Sequence, residues 1–145
     1  MRRWLELIKE GQGAFDNTDP SRRPHYYKNG QIVFTKNGNA DKYTRQCWDK
    51  VAPCIHTRND ILASQNTVHP VDDRVFSIRE VMRLMTIPQS FKWTKFDVDE
   101  LNALPIKEKE KYLKQNDINI RQSIGEAVPT EIFRQVAENI RKIEK

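Results

Sequence analysis

The sequence contains little cysteine and no long hydrophobic run. Its 145 residues include two cysteines, Cys47 and Cys54, which cannot form a disulfide framework and favour a reducing intracellular environment. No run of about 18 apolar residues is present, so we predict no membrane span and no membrane partner. The N-terminal stretch MRRWLELIKEG lacks the uninterrupted apolar segment of a signal peptide. We therefore expect a cytoplasmic protein.

The chain is also poor in glycine, and it lacks the motifs of common active sites. Its five glycines form no phosphate-binding loop, and neither G-x-S-x-G nor H-E-x-x-H occurs. Cys54 stands two residues before His56, a spacing that suits a nucleophile but also arises by chance around a semi-buried thiol. Structural zinc sites pair ligands much closer together than Cys47 and Cys54. We predict no catalytic residue in this chain and no metal site.

Charged side chains are abundant, and positive charge dominates. Lysine and arginine total 25 against 20 aspartates and glutamates, which gives a formal net charge of +5 at pH 7. This balance suits a polyanionic partner, although an ordinary soluble protein can carry it as well. Hydrophobic residues make up 37% of the chain, so we expect a small core and a surface committed to another task.

Short apolar patterns predict the secondary structure of the N-terminal half. Residues 3–10 have the spacing of a short amphipathic helix. The stretch YYKNGQIVF predicts a β-hairpin, because Asn29 and Gly30 both tolerate the positive φ of a type I′ turn. A second Asn-Gly pair at 37–38 predicts another turn. Residues 43–70 have no helical period and suggest irregular β-structure and loops.

A capping box opens the next helix. In Ser77-Ile78-Arg79-Glu80 the serine hydroxyl can accept a hydrogen bond from the backbone N–H of Glu80, and the glutamate side chain can accept one from the backbone N–H of Ser77. Apolar residues follow at i, i+3, i+4 and i+7, and Pro88 limits the helix to about two turns.

The last fifty residues carry the strongest helical signals. Residues 94–118 are rich in charge and predict two exposed helical pieces, one on each side of Pro105. In AVPTEIFRQVAENIRKI, Pro129 suits the first position of a helix. That helix would carry one apolar stripe, formed by Ile132, Phe133, Val136, Ala137, Ile140 and Ile143.

The polar middle of the chain contains side chains that can read DNA. Arginine can form two hydrogen bonds to guanine, and asparagine or glutamine can form two to adenine. The candidates of these types are Arg45, Gln46, Arg58, Asn59, Gln65 and Asn66. Lysines that could bind phosphates nearby are Lys28, Lys36, Lys42 and Lys50. A solvated surface would have the same composition, so both interpretations stay open.

Two segments together resemble conserved blocks of the DNA cytosine-5 methyltransferases. DDRVFSIREVMRLMTIPQSFKW is similar to the ninth block of that family, and NIRQSIGEAVPTEIFRQVAENI is similar to the tenth. WDKVAPCIHTRNDILASQNTVHP, which precedes the ninth block, resembles the end of the family's variable target-recognition region. The resemblance covers residues 43–93 and 119–141.

The resemblance implies an α+β fold with three parts. Residues 1–93 would form a small DNA-recognition domain, rich in loops, with a β-hairpin and short helices, and residues 94–118 would form a charged helical insertion. Residues 119–145 would form the tenth-block turn and a C-terminal amphipathic helix, which packs on a Rossmann-like methyltransferase domain that this sequence does not include. The ninth block orients the recognition region in the family. That role implies a structural scaffold of Arg74, Ser77, Arg79, Glu80, Arg83 and Pro88. Its four ionic side chains, Arg74, Arg79, Glu80 and Arg83, would be buried or half-buried, with a surface salt bridge as the alternative for Arg83.

The tenth block of the family lines the methionine end of S-adenosylmethionine. Carried over by position, Gly125, Glu126, Ala127 and Val128 would face this cofactor, with Glu126 at a position where most members have asparagine. A carboxylate there could meet the ammonium group of the cofactor.

The catalytic blocks of the family are absent from this sequence, and Pro53-Cys54-Ile55 is not the Pro-Cys-Gln nucleophile block. The resemblance therefore implies a chain that is inactive alone. Its partners would be double-stranded DNA and an N-terminal catalytic portion or subunit of a restriction-modification methyltransferase in a bacterial cytoplasm. The chain would be a split subunit or an excised piece of such an enzyme.

Two other functions fit the same residues. A free-standing DNA-binding regulator would need a recognition helix, and the helix at 77–86 is the candidate, although its two methionines favour burial. A protein-interaction module would use the C-terminal amphipathic helix.

Overall fold

The computed structural model describes residues 2–35, 42–63 and 67–143. The chain divides into two compact units. The first unit comprises Met1–Cys54 and Asn59–Phe76, and the second comprises Ile55–Arg58 and Ser77–Lys145. No helix in the described ranges is long and apolar enough to cross a membrane. The second Asn-Gly pair, at 37–38, lies outside the described residues.

The first unit contains a β-hairpin and short 3₁₀ turns. Strand β1 (His25–Lys28) pairs antiparallel with strand β2 (Gln31–Phe34). Asn29 and Gly30 join them with φ of 51° and 77°, as a type I′ turn requires. The hairpin prediction is confirmed. The 3₁₀ turns are Arg2–Trp4, Ala14–Asp16 and Pro20–Arg22.

The helix predicted at residues 3–10 is reduced to the first of these turns. Leu7 takes a φ of 67°, which a continuous right-handed helix excludes. So short a segment is also a marginal helix on its own, because nucleation fixes several residues for one hydrogen bond. Leu5 and Ile8 are nevertheless buried, together with Val68, in the core of the first unit, where Tyr43 and Leu62 pack against them.

Residues 43–70 form loops with isolated bridges rather than strands. Thr44 pairs with Gly13, and Val68 bridges both Arg45 and Val75. These bridges hold the segment near the core without a regular ladder, which agrees with the irregular structure expected from the sequence.

The second unit is helical. Its helices are α1 (Ile78–Leu84), α2 (Val98–Ala103), α3 (Ile106–Glu126) and α4 (Thr130–Ile143). Helix α1 packs against α3. The buried apolar side chains of these two helices and the residues after α1 are Val81, Met82, Met85, Ile87, Ile120 and Ile124. Because α3 is continuous from 106 to 126, the predicted limit between a charged insertion and the tenth block, at 118–119, falls inside one helix.

Candidate functional site

The capping box at the start of α1 forms as the sequence predicts. The hydroxyl of Ser77 accepts from the backbone N–H of Glu80 at 3.3 Å, and the carboxylate of Glu80 accepts from the backbone N–H of Ser77 at 2.6 Å. The apolar face of α1 is buried through Val81 and Met82. The indole N–H of Trp93 donates to the sulfur of Met82 at 3.2 Å, which fixes the chain beyond Pro88 against this helix.

The segment after α1 holds the first turn of α4. Thr130 donates its backbone N–H to the carbonyl of Met85 at 3.4 Å and its hydroxyl to the carbonyl of Thr86. The backbone N–H of Glu131 donates to the hydroxyl of Thr86 at 3.0 Å. Thr86 has a φ of 54°, a strained value for a β-branched residue, so these hydrogen bonds stabilise an unfavourable backbone conformation. The segment that follows α1 therefore positions the start of α4.

Gly125 allows a close approach of two backbones within the second unit. A Cβ on residue 125 would lie 2.4 Å from the carbonyl carbon of His56 and 2.4 Å from the amide nitrogen of Thr57. Only a residue without a side chain fits this contact. The backbone of residues 56 and 57 therefore occupies the space that a side chain at position 125 would need, and the cofactor contact expected of Gly125 stays a prediction.

The other three residues expected at the cofactor are accessible. Glu126 and Val128 are exposed and Ala127 is half-buried, where the chain leaves α3. The carboxylate of Glu126 accepts from the side-chain amide of Gln122 at 2.9 Å. Their accessibility leaves room for a ligand, and their contact with a cofactor stays a prediction.

Helix α4 presents an uncovered apolar face. None of its residues is buried. The apolar side chains predicted to form its stripe are all exposed, at Ile132, Phe133, Val136, Ala137, Ile140 and Ile143. Arg134 donates to Glu131 at 2.8 Å through its Nε and also contacts Glu138. The hydrogen bond from Arg134, with a second from Gln135, lowers the pKa of Glu131 to about 2.

Three of the predicted DNA-reading residues are buried in the first unit. Arg45, Gln46 and Asn59 are 4%, 6% and 1% exposed. The guanidinium of Arg45 donates to the carbonyls of Leu5, Ile8, His69 and Asp72, and it pairs with Asp73. Every donor of Arg45 has an acceptor within the protein, so the guanidinium has a structural role in this conformation. Gln46 donates its side-chain amide to the carbonyl of Val51 at 3.1 Å.

The remaining DNA-reading candidates divide into two groups. Lys42 and Arg58 are exposed, in the first and second unit respectively, and their place at a DNA interface stays a prediction. Gln65 and Asn66 lie outside the described residues, as does Lys36.

Of the four ionic residues in the predicted scaffold, Arg74 and Glu80 are half-buried and the other two are exposed; the scaffold role stays a prediction. Arg79 and Arg83 are exposed, because the buried face of α1 is taken by its apolar residues, and Pro88, beyond the helix, is exposed as well. Arg74 is half-buried and donates to the carboxylate of Asp72 at 2.9 Å. Two arginines outside the predicted scaffold are buried, Arg121, which pairs with Asp117, and Arg45, which the sequence predicted to contact DNA. Arg45 lies 24 to 40 residues away in sequence from His69, Ile8 and Leu5, whose carbonyls accept its hydrogen bonds. No local sequence pattern could therefore reveal the structural role of Arg45.

The described part of the chain contains no group of three or more histidine, cysteine, aspartate or glutamate side chains that could hold a metal ion. Cys54 is exposed and Cys47 is partly exposed, and both are free thiols.

The chain is similar to parts of two bacterial methyltransferases. The chain is 31% identical over 148 aligned residues to the type II methyltransferase M1.HgaI of Avibacterium volantium, an alignment that covers 94% of this chain and 34% of that protein. It is 32% identical over 100 residues to the type II methylase M.HgiDII of Herpetosiphon aurantiacus, which covers 69% of this chain and 24% of that protein. No family model and no solved structure matches the chain. The chain thus spans about a third or less of the length of these relatives, and the similarities support a methyltransferase region.

Proposed function

We propose that these residues provide DNA target recognition and one edge of the S-adenosylmethionine site in a DNA cytosine-5 methyltransferase of the restriction-modification type. The observation that carries the proposal is the similarity to M1.HgaI over 94% of the chain. The ninth-block and tenth-block sequences supply the finer assignment to cytosine-5 enzymes. In such an enzyme the target cytosine leaves the duplex and is attacked by a cysteine of the catalytic portion.

The arrangement of α1 and α4 supports a role next to a catalytic portion. Thr86 fixes the first turn of α4, and the accessible residues Glu126, Ala127 and Val128 come directly before that turn. Glu126 would orient the ammonium group of S-adenosylmethionine. When bound, this cofactor supplies the methyl group. The uncovered apolar face of α4 would pack on the catalytic portion, since exposed stripes of this kind mark interaction surfaces.

A hybrid enzyme tests the proposal. The region of M1.HgaI that matches this chain would be replaced by the 145 residues, and unchanged M1.HgaI would be the control. We expect transfer of labelled methyl groups to duplex DNA, recovery of 5-methylcytosine after digestion to nucleosides, and a methylated sequence that differs from that of the control.

Three results would contradict separate parts of the proposal. Methylation at a nitrogen would exclude the cytosine-5 assignment, and methylation at the control sequence would exclude target recognition. A folded hybrid that binds S-adenosylmethionine but transfers no methyl group to a pool of random duplexes would exclude the methyltransferase role.

The exposed face of α4 also favours a second candidate, a protein-interaction module without DNA binding. Such a module would bind its partner through apolar contacts with little dependence on salt, whereas DNA binding weakens steeply as salt rises. The third candidate, a regulator that reads DNA with α1, is disfavoured because Val81 and Met82 of that short helix are buried.

A further inference from the structure

The first unit exposes a β-ribbon whose tip carries side chains of the types that can bind bases or phosphates. From Tyr26 to Ile32 every residue is exposed, including Lys28, Asn29 and Gln31. These three stand at the turn, where Lys28 pairs with Gln31 in the strand register. By contrast, the buried Arg45, Gln46 and Asn59 cannot reach a groove in this conformation. We propose that the β1–β2 hairpin is the element that enters the major groove of the target DNA. This inference rests on the proposed function, which makes duplex DNA the partner of the chain.

The dimensions of the hairpin suit the groove. The major groove of B-DNA is about 12 Å wide and about 8.5 Å deep, and it admits a two-stranded β-ribbon. Two paired strands lie about 4.8 Å apart, and a strand of four residues spans roughly 13 Å. The tip of the hairpin is therefore narrow enough to enter the groove, and the strands are long enough to reach its floor.

The base of the hairpin is anchored while its tip is left free. The ring of His25 lies 5.7 Å from the ring of Trp4 and 6.2 Å from that of Phe34. The backbone N–H of Thr35 donates to the carbonyl of Pro24 at 2.9 Å, which continues the ladder beyond the strands. Such an anchor presents the tip in a fixed orientation, which reduces the cost of ordering it on binding.

The charge and chemistry of the ribbon favour DNA over a protein partner. The stretch from His25 to Thr35, HYYKNGQIVFT, contains no acidic residue. An amide side chain such as Gln31 can form two hydrogen bonds with adenine, and an ammonium such as that of Lys28 binds phosphate or guanine. Tyr27, which is 69% exposed, lies at the pair before the tip and offers a flat apolar surface to the sugar edge. We assign base reading to Gln31 and phosphate binding to Lys28.

Binding of duplex DNA by the 145-residue chain, measured by fluorescence anisotropy after selection from a random pool, tests the assignment. Gln31→Ala should weaken binding to the selected duplex by about 5- to 150-fold and relax the preference at one base pair. Lys28→Ala should weaken binding to all duplexes equally and reduce the slope of log K against log salt by about one. The matched controls are Gln115→Ala and Lys111→Ala, on the exposed surface of α3, which should leave binding unchanged.

The hairpin assignment would be overturned if Gln31→Ala behaved like Gln115→Ala, or if the unchanged chain retained no duplex at low salt. Gln31→Glu keeps the size of the side chain and adds a negative charge. It should lower affinity at least as much as the alanine variant, and circular dichroism would verify that each variant folds. The hybrid-enzyme assay reads methyl transfer instead of DNA affinity. A hybrid that methylates cytosine at a new sequence regardless of Gln31 would therefore reject the hairpin and keep the proposed function.

Discussion

At the scale of single residues, Arg45 shows how one side chain can replace regular secondary structure. Its guanidinium donates hydrogen bonds to carbonyls of the N-terminal segment and of residues 69–72. No β-ladder pairs these two segments with each other. A planar group with five donors can satisfy several acceptors at once, whereas a lysine has three donors at a single point. Arg45 therefore joins segments of the first unit that no β-ladder connects.

Replacement of this arginine should be costly even by another cation. We expect Arg45→Lys to lower the free energy of unfolding by at least about 2 kcal/mol, because each buried acceptor left without a donor costs about 1–3 kcal/mol. Urea titration followed by tryptophan fluorescence would measure the change. Arg79→Lys, at an exposed position of α1, should change stability by less than about 0.5 kcal/mol. Equal effects of the two substitutions would refute a structural role for Arg45.

The close backbone contact of Gly125 leads to a second prediction for a single residue. Gly125→Ala should destabilise the protein by about 1–3 kcal/mol, because the added methyl group overlaps the backbone of His56 and Thr57. The control is Ser123→Ala, an exposed position in the same helix, where alanine should be neutral or slightly stabilising. Thermal unfolding would compare the two variants. If Gly125→Ala were as stable as the control, the close approach of α3 to residues 56–57 would be wrong.

At the scale of elements, α4 is held at its first turn by Met85 and Thr86 and is otherwise stabilised by its polar face, because its apolar face is uncovered. The pKa of Glu131 is lowered from 4.5 to about 2, chiefly by the hydrogen bond from Arg134. Because the pKa of Glu131 is lower in the folded state, the ion pair contributes its full stabilisation of the fold at pH values above the ordinary pKa of 4.5. This stabilisation is lost as the pH falls from about 4.5 to about 2. We expect helicity measured by circular dichroism to decline over this range.

The variant Glu131→Gln isolates this titration from that of the other carboxylates. Its difference from the unchanged chain should be largest above pH 4.5 and should vanish near pH 2. Because Glu131 is close to the surface, the difference should also shrink at high salt. A difference that is constant across the pH range would show that the Arg134 pair does not support α4.

Some elements of this chain could be predicted from local sequence, and others could not. Asn29-Gly30 and the Ser77 capping box act over two to four residues, so the pattern alone specifies the turn and the helix start. The stripe of α4 follows from the helical period. The role of Arg45 and the contact of Gly125 depend on residues far away in sequence, and local patterns carry no information about such partners. The helix at 3–10 failed for the same reason, since tertiary contacts outweigh a weak intrinsic preference.

At the scale of the whole molecule, the uncovered face of α4 should govern solution behaviour. We expect the isolated chain to bind an apolar dye and to self-associate as its concentration rises, because contiguous exposed apolar surface promotes association. The double substitution Phe133→Ser and Ile140→Ser should reduce both effects, as measured by dye fluorescence and sedimentation. The control is Arg141→Ser with Lys142→Ser, on residues outside the stripe. Dye binding that is unchanged by the first pair would contradict the exposure of this face.

The division of the chain into two interleaved units has a consequence for attempts to dissect the protein. Because Ile55–Arg58 belongs to the second unit while its flanking segments belong to the first, the polypeptide passes from one unit to the other three times. No single cut can release either unit intact. During synthesis, the second unit cannot be completed until a tetrapeptide made long before its helices is joined to them, so truncation libraries and limited proteolysis should yield either the whole chain or unfolded pieces.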